Sequence, residues 1–299
     1  GMATISVQSV SDIFSKKTNT DNFYENTDLI DKSITPLKRS HTEVPSKIMI
    51  TREFNASNCS EVESLSSIPG SKIILSNNIS SSGICVRIQS DNIELDCANH
   101  KIYAGSVGVL SNKTYITIKN CIFDSGYSRG TGIVLDYGSE NNIVLNNTFI
   151  ENVGGGGMQL WYSINATLSN NLFYNAGGRY SFLNIRGSCY FLDHSIDTSN
   201  TFNDKPIHYY HNKTGIAIEN LDAGLIYVTC SSNIHARNNR FTNYAHGMIF
   251  YYNTNSLIYN NYFSDAYGFR IDSSKNISIF NNTITNSVFP FDFFYSSDS

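Results

Sequence analysis

The chain has 299 residues, of which 40% are hydrophobic and only 15% are charged, and its formal net charge is −4. This length fits either two ordinary domains or one elongated repeat protein. The charge disfavours a nucleic-acid partner, which needs clustered Lys and Arg. No apolar run approaches the roughly 18 residues of a membrane-spanning helix, so membrane insertion is not predicted.

The N-terminal segment differs from the rest of the chain. Residues 1–45 are rich in Ser, Thr, Asn and Lys, show no hydrophobic period, and contain Pro36 and Pro45. Such a composition predicts a polar arm or linker, and residues 46–299 are then one repeat domain. The first fourteen residues lack the apolar core of a signal peptide, so either a leader preceded this sequence or the protein is not exported by that route.

Residues 59–88 are interpreted as an N-terminal cap that leads into the first coil of a solenoid, because the open end of a solenoid has to be covered. We predict that Cys59 in the cap and Cys85 in the first coil lie close enough to be bridged, with Cα atoms under about 7 Å apart. Cys97 falls in a buried column of the repeat and is interpreted as an inert thiol. The six cysteines include no zinc-binding spacing.

A repeat of about 21–25 residues dominates the chain. Each copy begins with a Gly-led apolar strand, at Gly108, Gly132, Gly157, Gly224, Gly247 and Gly268. A polar turn and a second short strand with an Asn–Asn pair follow; the second asparagines are Asn147, Asn171, Asn239, Asn261 and Asn282. A coil of this length cannot bury its own apolar side and must stack on its neighbours. The pattern predicts an all-β, right-handed parallel β-helix.

Inside this β-helix we expect the five asparagines to form one continuous inward ladder. The phenylalanines that follow them are expected to stack beside the ladder; they are Phe149, Phe173, Phe241 and Phe263. The repeat slips between Arg179 and Ala223, with an insertion near residues 189–194 and a longer excursion over residues 200–210. An outward loop or hairpin is expected there.

Three stretches carry a resemblance to a known family. They are residues 84–102, the segment Asn203-Asp-Lys-Pro-Ile207, and the Asn–Asn pairs. From Cys59 onward the chain resembles the carbohydrate-binding and sugar-hydrolase repeat family of right-handed β-helices, in the pectate-lyase-like superfamily. Residues 203–207 are similar to that family's Asn-Gly-Lys-Pro excursion, with Asp204 in place of the usual Gly. The resemblance implies the fold but not the activity, since the family mixes enzymes, binders and structural proteins.

The outward positions of the Gly-led strands form two columns, with coils about 4.8 Å apart. The first column is Leu110, Val134, Gln159, Ile226, Ile249 and Arg270; the second is Asn112, Asp136, Trp161, Val228, Tyr251 and Asp272. Asn184 and Arg186 are expected in the coil after Trp161. No two outward carboxylates of this grid fall on neighbouring coils, whereas a glycosidase needs two within about 10 Å and a calcium-assisted lyase needs several. Neither a metal nor another cofactor is predicted.

The outward aromatic residues are the remaining chemical signal. Aromatic faces stack on sugar rings, and amide and guanidinium groups bond to hydroxyls. Trp161, Tyr162, Tyr251 and Tyr252 are expected to cluster on or beside one face. The predicted substrate-binding residues are Gln159, Trp161, Arg186 and Tyr251, although exposed tyrosines are also ordinary in β-helices. Catalytic residues are not assigned. The candidates are Asp193, His194 and Asp222, which a loop of the insertion would have to bring to the face, and Arg270 and Asp272, which lie on the grid.

Three functions stay open. The first is a β-helix that binds extended polysaccharide or surface glycan and cleaves it slowly or not at all. The second is a polysaccharide lyase or glycosidase with a site near residues 186–222. The third is a structural module of a surface layer or virion that docks or self-assembles through residues 1–45. In each case an extracellular or cell-surface location is expected, with a virion as the other possibility.

Overall fold

The computed structural model describes residues 4–5, 50–124, 130–150, 156–174, 182–242, 246–287 and 290–294. The arm predicted over residues 1–45 lies outside the described residues, apart from the backbone of the short strand β1 (Thr4–Ile5). This strand pairs antiparallel with Thr283 and Asn282 of the last coil.

The described chain winds into ten stacked coils with a strand on each of three faces. The glycine face consists of strands in two separate sheets. Before the hairpin described below, a five-stranded sheet contains β5 (Ile84–Arg87), β8 (Val107–Ser111), β11 (Thr131–Leu135), β14 (Met158–Trp161) and β17 (Leu183–Arg186). After it, β20 (Lys205–His211), β22 (Leu225–Thr229), β25 (Met248–Tyr251), β28 (Phe269–Asp272) and β31 (Phe291–Phe294) belong to a sheet that continues through β19 (Thr201–Phe202) into β16 (Leu172–Tyr174). The phenylalanine face carries β4 (Ile79–Ser81), β7 (Lys101–Ala104), β10 (Ile122–Asp124), β13 (Thr148–Ile150), β16 (Leu172–Tyr174), β19 (Thr201–Phe202), β24 (Arg240–Phe241), β27 (Tyr262–Ser264) and β30 (Asn282–Thr285).

The third face carries β2 (Arg52–Ala56), β3 (Ser71–Leu75), β6 (Glu94–Asp96), β9 (Thr117–Lys119), β12 (Ile143–Leu145), β15 (Thr167–Ser169), β18 (Ser195–Ile196), β21 (Ala217–Glu219), β23 (His235–Arg237), β26 (Thr254–Tyr259) and β29 (Lys275–Phe280). Strands of successive coils pair in parallel, as in β12 between β9 and β15. The predicted parallel β-helix is therefore the observed fold.

The helix α1 (Cys59–Leu65) caps the N-terminal end. Asn58 begins it by accepting a hydrogen bond from the backbone N–H of Glu61 at 2.9 Å, and Val62 is its buried contact with the first coils. The predicted link to the first coil is confirmed, since Cys59 and Cys85 form a disulfide with Cα atoms 5.1 Å apart.

The glycines of the repeat make room for the phenylalanine stack. Phe149 stacks on Phe123 and Phe173, with ring centroids 5.1 and 4.6 Å away, and all three rings are buried. A Cβ on Gly132 would lie only 2.6 Å from Cδ1 of Phe149. The glycine that opens this strand is therefore required by close packing.

The two asparagines of each Asn–Asn pair have different structural roles. The first asparagine turns the chain in the left-handed region, as in Asn146 (φ 54°) and Asn170 (φ 53°), which asparagine tolerates better than most residues. The second asparagine is buried and bonds to the next coil. This division explains why the pair is found at so many coils.

The expected single asparagine ladder is wrong, because the structure has two runs. Asn147 donates to Asn171 and Asn171 donates to Asn200 in the first run, at 3.0 and 2.9 Å. The second run joins Asn239, Asn261 and Asn282. Leu221 holds the equivalent position in the coil between the runs and offers no amide.

Cys97 is not the inert thiol that was expected. It forms a disulfide with Cys121, and their Cα atoms are 4.7 Å apart. Cys121 directly precedes Asn147 in the buried column, since its backbone N–H donates to Asn147 Oδ1. Two cysteines thus continue the column covalently where the asparagines end.

The expected excursion is a β-hairpin between β19 and β20. Asn203 (φ 46°) and Asp204 (φ 63°) form its two-residue turn, a geometry that needs positive φ at both positions. β20 then pairs in parallel with β22. The hydrophobic core consists of two clusters, one mainly before the hairpin and one after it.

Candidate functional site

The register of the glycine face agrees with the expected grid before the hairpin and differs after it. Gln159 pairs with Asn184 and Trp161 pairs with Arg186, as expected. Ile226 and Val228 were expected to point outward, but they pair with the core residues Met248 and Phe250 and are buried.

Tyr227 and Thr229 take the other side of the strand, beside Ile249 and Tyr251. Tyr227, Thr229 and Ile249 are buried there, and Tyr227 and Ile249 pack in the core cluster of the N-terminal coils. The register differs because one extra residue, Leu225, lies between Gly224 and the first inward side chain of β22, Ile226. A shift of one residue exchanges the two sides of a strand.

The insertion lies against this face. Its 3₁₀ turn (Cys189–Leu192) is tied to the end of β22 by a disulfide between Cys189 and Cys230, with Cα atoms 5.7 Å apart. Two tyrosines hold the surrounding backbone: Tyr209 donates its hydroxyl hydrogen bond to the carbonyl of Leu192, and Tyr227 donates to the carbonyl of Ile185 at 3.1 Å. Burial raises the pKa of both tyrosines above the usual value, so these hydroxyls remain donors at neutral pH.

Trp161 and Arg186 form one end of the candidate site. The Arg186 guanidinium carbon lies 5.5 Å from the centroid of the Trp161 ring, a cation–π arrangement. Gln159 is half-buried beside them and its amide donates to Thr131 Oγ1 at 3.3 Å. The buried Nε1 of Trp161 has no hydrogen-bond partner among the described residues.

Four further aromatic residues lie beside this end, and of these only Tyr162 was expected near this face from the sequence. We call Tyr137, Tyr162, Tyr190 and Phe191 the aromatic platform. Phe191 of the insertion contacts each of the three tyrosine rings, with centroid distances of 5.3–6.2 Å. No sequence period marks this group, because the insertion supplies half of it.

Tyr251 marks the other end of the candidate site. Its ring stacks on Tyr252 with centroids 4.5 Å apart, and burial raises its pKa. On the next coil, Arg270 donates to Asp272 at 3.2 Å and lies 4.9 Å from the Phe294 ring centroid. The structure thus brings Tyr251, Arg270 and Asp272 together.

The expectation that no two outward carboxylates fall on neighbouring coils is wrong. Asp292 pairs with Arg270 in the register of β28 and β31, and Asp272 follows Arg270 by two residues. The two aspartates are diagonal neighbours, with Cα atoms roughly 8 Å apart from strand spacing and rise. Asp292 was missed because Pro290 and Phe291, with no glycine, open the last coil.

The remaining catalytic candidates are separated. His194 is buried, and its Nδ1 accepts from the backbone N–H of Ala166 at 3.2 Å, while burial lowers its pKa to about 3. Asp193 is half-buried at the end of the 3₁₀ turn, on the side of Tyr209. Asp222 forms an ion pair with Lys205 and lies next to β24. The Asp193 carbonyl accepts from the backbone N–H of Asn165 at 2.9 Å, so Asp193 lies at the corner that leads into β18, and the next residue, His194, faces the core.

Among the described residues, no group of three His, Cys, Asp or Glu side chains is arranged to hold a metal ion. All six cysteines are in disulfides. No helix in the described part of the chain is long and apolar enough to cross a membrane.

Comparison with known families gives one decisive match. A family model described as right handed beta helix region matches residues 67–223, just over half of the chain. The chain belongs to the right-handed β-helix family. A second family model, described as periplasmic copper-binding protein (NosD), matches residues 183–289 of this β-helix.

Similarity to individual proteins is weak. One solved structure, the catalytic domain of a GH87 α-1,3-glucanase in complex with nigerose, is 13% identical to this β-helix with a TM-score of 0.35. The alignment covers 76% of this chain and 58% of that structure, so the chain spans less than two thirds of its length. A likeness this weak carries no information about activity. None of the curated proteins matches the chain.

Proposed function

We propose that this β-helix binds an extended glycan on its glycine face and does not cleave it rapidly. The observation that carries the proposal is the Trp161–Arg186 pair, with Gln159 beside it on the same outward surface. An indole face stacks on the apolar face of a sugar ring. Guanidinium and amide groups supply the few oriented hydrogen bonds that a sugar site needs.

The proposed ligand is an extended oligosaccharide rather than a monosaccharide. Trp161 lies in the five-stranded sheet and Tyr251 in the sheet that continues through β19. We propose that one glycan chain contacts both side chains, and Tyr251→Ala tests the contribution of the second.

The single tryptophan of the chain supplies the test. We would titrate neutral and acidic hexasaccharides and follow the fluorescence of Trp161, with calorimetry as a second readout. Arg186→Ala and Tyr251→Ala are expected to weaken binding at least fivefold. Tyr103→Ala is the matched control, because Tyr103 is an exposed tyrosine on the phenylalanine face. Equal affinity of all variants would contradict the proposed site.

A second candidate function, glycoside hydrolysis or polysaccharide lysis, is favoured by Asp272 and Asp292. Neighbouring coils bring their backbones close enough for the two carboxyl groups to act on one glycosidic bond. We rank the function second because Asp272 is ion-paired with Arg270 at 3.2 Å, and Arg270 is also the register neighbour of Asp292. A reducing-sugar and unsaturated-product assay on wild type, Asp272→Asn and Asp292→Asn tests it. Fast product release that either variant abolishes would establish an enzyme.

We propose an oxidising location, outside the cytosol, for this protein. The supporting observation is that all six cysteines pair in disulfides, which persist in such compartments. The residues matched by the copper-binding family do not fit copper well. Soft sulfur ligands and imidazoles are preferred by copper, but Cys189 and Cys230 are bonded to each other and Met248 is buried in the core. The described histidines of this region form no group of three with other His, Cys, Asp or Glu side chains that could hold a metal ion.

A further inference from the structure

The aromatic platform is unusually exposed for its composition. The exposed fractions of Tyr137, Tyr162 and Tyr190 are 69%, 47% and 61%. Tyr137 and Tyr162 follow β11 and β14 on neighbouring coils, and their rings are 6.2 Å apart. Contiguous exposed aromatic surface of this kind is typical of a binding site.

Backbone conformation sets the direction of the Tyr162 ring. Tyr162 has φ 52°, and the residue at the same corner is left-handed in later coils too, at Cys230, Tyr252 and Ser273. The corner is therefore a regular part of the coil, and Tyr162 uses it to place its ring against Phe191 and Tyr137.

The insertion side of the platform is fixed in place. Cys189 precedes Tyr190 and is bonded to Cys230, and Leu192 receives the hydroxyl hydrogen bond of Tyr209. Gly187 (φ 145°) has no room for a side chain, because a Cβ would lie 2.5 Å from the Cβ of Phe191. A surface that is ordered before binding pays less conformational entropy on binding.

We propose that the aromatic platform is a second glycan subsite, assembled by the Cys189–Cys230 disulfide and continuous with the Trp161–Arg186 end. The inference rests on the proposed function and extends it to residues on the insertion. Tyr162 directly follows Trp161 in the chain, so the two surfaces adjoin.

The geometry of the platform also specifies the kind of glycan. None of its four side chains is charged, which fits a neutral sugar. Its contacting rings are inclined to one another by 45–81°, so they present no common plane to a flat crystalline polysaccharide. The occupant is a neutral, soluble chain that bends across the rings.

The first experiment compares platform variants. Hexasaccharides of glucose, mannose and galactose, with hexagalacturonate as the acidic probe, are titrated into wild type, Tyr137→Ala and Tyr190→Ala. The loss of one stacked ring is expected to weaken binding about three- to tenfold, and Tyr103→Ala should bind as wild type. Wild-type affinity in both platform variants would overturn the inference while leaving the proposed function intact. Preference for the acidic probe would overturn the neutral-glycan assignment.

The second experiment tests the disulfide. The double variant Cys189→Ser, Cys230→Ser is expected to lose at least as much affinity as Tyr190→Ala, with the β-sheet circular dichroism unchanged. Cys59→Ser, Cys85→Ser removes the cap disulfide and should bind normally. Retained affinity in the first double variant would refute assembly by this disulfide. Failure of every probe to bind wild type would overturn the inference and the proposed function together.

A protein partner is the competing occupant of the platform. Sedimentation velocity of wild type and Tyr190→Ala over a range of concentrations separates this case. We expect both to remain at the same sedimentation coefficient. Self-association that Tyr190→Ala abolishes would assign the platform to a second copy of the chain and overturn the glycan subsite.

Discussion

The first asparagine run provides a sharp test of what holds the coils together. Asn171 is fully buried and its side chain makes four hydrogen bonds. Its Oδ1 accepts from the backbone N–H and the side-chain amide of Asn147, at 3.1 and 3.0 Å. Its Nδ2 donates to the Val144 carbonyl at 2.8 Å and to Asn200 Oδ1 at 2.9 Å.

Asn171→Ala should therefore be strongly destabilising. The substitution leaves the backbone N–H of Asn147, one amide hydrogen of Asn147 and the carbonyl of Val144 without this partner. Each buried group left unsatisfied costs about 1–2 kcal/mol, so the free energy of unfolding should fall by about 3–6 kcal/mol. A loss of this size is a large part of the stability of an ordinary domain.

The measurement is urea unfolding followed by the fluorescence of Trp161, which precedes Asn171 by ten residues, and by far-ultraviolet circular dichroism. Asn170→Gly is the matched control, because Asn170 is the exposed, left-handed member of the same pair and glycine accepts that conformation. The control should change stability by less than about 0.5 kcal/mol. A loss below about 1 kcal/mol in Asn171→Ala would refute the reasoning that amide bonds hold neighbouring coils.

Three further predictions follow from the packing. Gly132→Ala should cost at least about 1–3 kcal/mol by thermal unfolding, because its Cβ would meet Phe149, whereas Gly83→Ala, with nothing within 4 Å, should not. His194 and His246 have pKa values of about 3 when folded, because of burial, against about 6.5 when unfolded. The contribution of these histidines to the free energy of unfolding should thus be fully present above pH 6.5. It should decrease towards pH 3, by up to about 1.4 kcal/mol per pH unit for each histidine. Urea midpoints at pH 7 and pH 5 check this, and an unchanged pH dependence in His194→Asn, His246→Phe would contradict it. Replacing Cys97 and Cys121 by Ala should cost about 3 kcal/mol, since their bond closes a loop of sequence separation 24; equal urea midpoints would show otherwise.

Local repetition made most of the fold predictable. Successive coils pack in the same way, so the same residue types recur at the same positions: glycine, the Asn–Asn pair and phenylalanine. The cap disulfide was predictable for a related reason, since Cys59 and Cys85 are about one coil apart and a coil returns the chain to nearly the same place.

The features that could not be predicted from the sequence lie where the repeat is interrupted. One extra residue after Gly224 shifts β22 by one position, so Tyr227 rather than Ile226 pairs with Ile249. The Cys189–Cys230 bond spans 41 residues and crosses the insertion, and no period predicts such a pairing.

The candidate site was predictable only in part. Trp161 and Arg186 were placed correctly because they lie on regular strands. Tyr162 was expected beside this face, but the rest of the aromatic platform was missed, because Tyr190 and Phe191 come from the insertion and Tyr137 lies in a turn after β11. Asp292 was missed because its strand lacks the glycine that marks the others.

The interruption of the asparagine ladder at Leu221 affects how the protein unfolds. In a solenoid each coil is stabilised mainly by its immediate neighbours, and the two asparagine runs and the two core clusters both divide near this coil. The C-terminal coils are then able to open as a cooperative unit while the N-terminal coils, with the cap and two disulfides, stay closed. Amide hydrogen exchange would show two levels of protection of the backbone amides, and the boundary between the two regions would lie beside the glycine face.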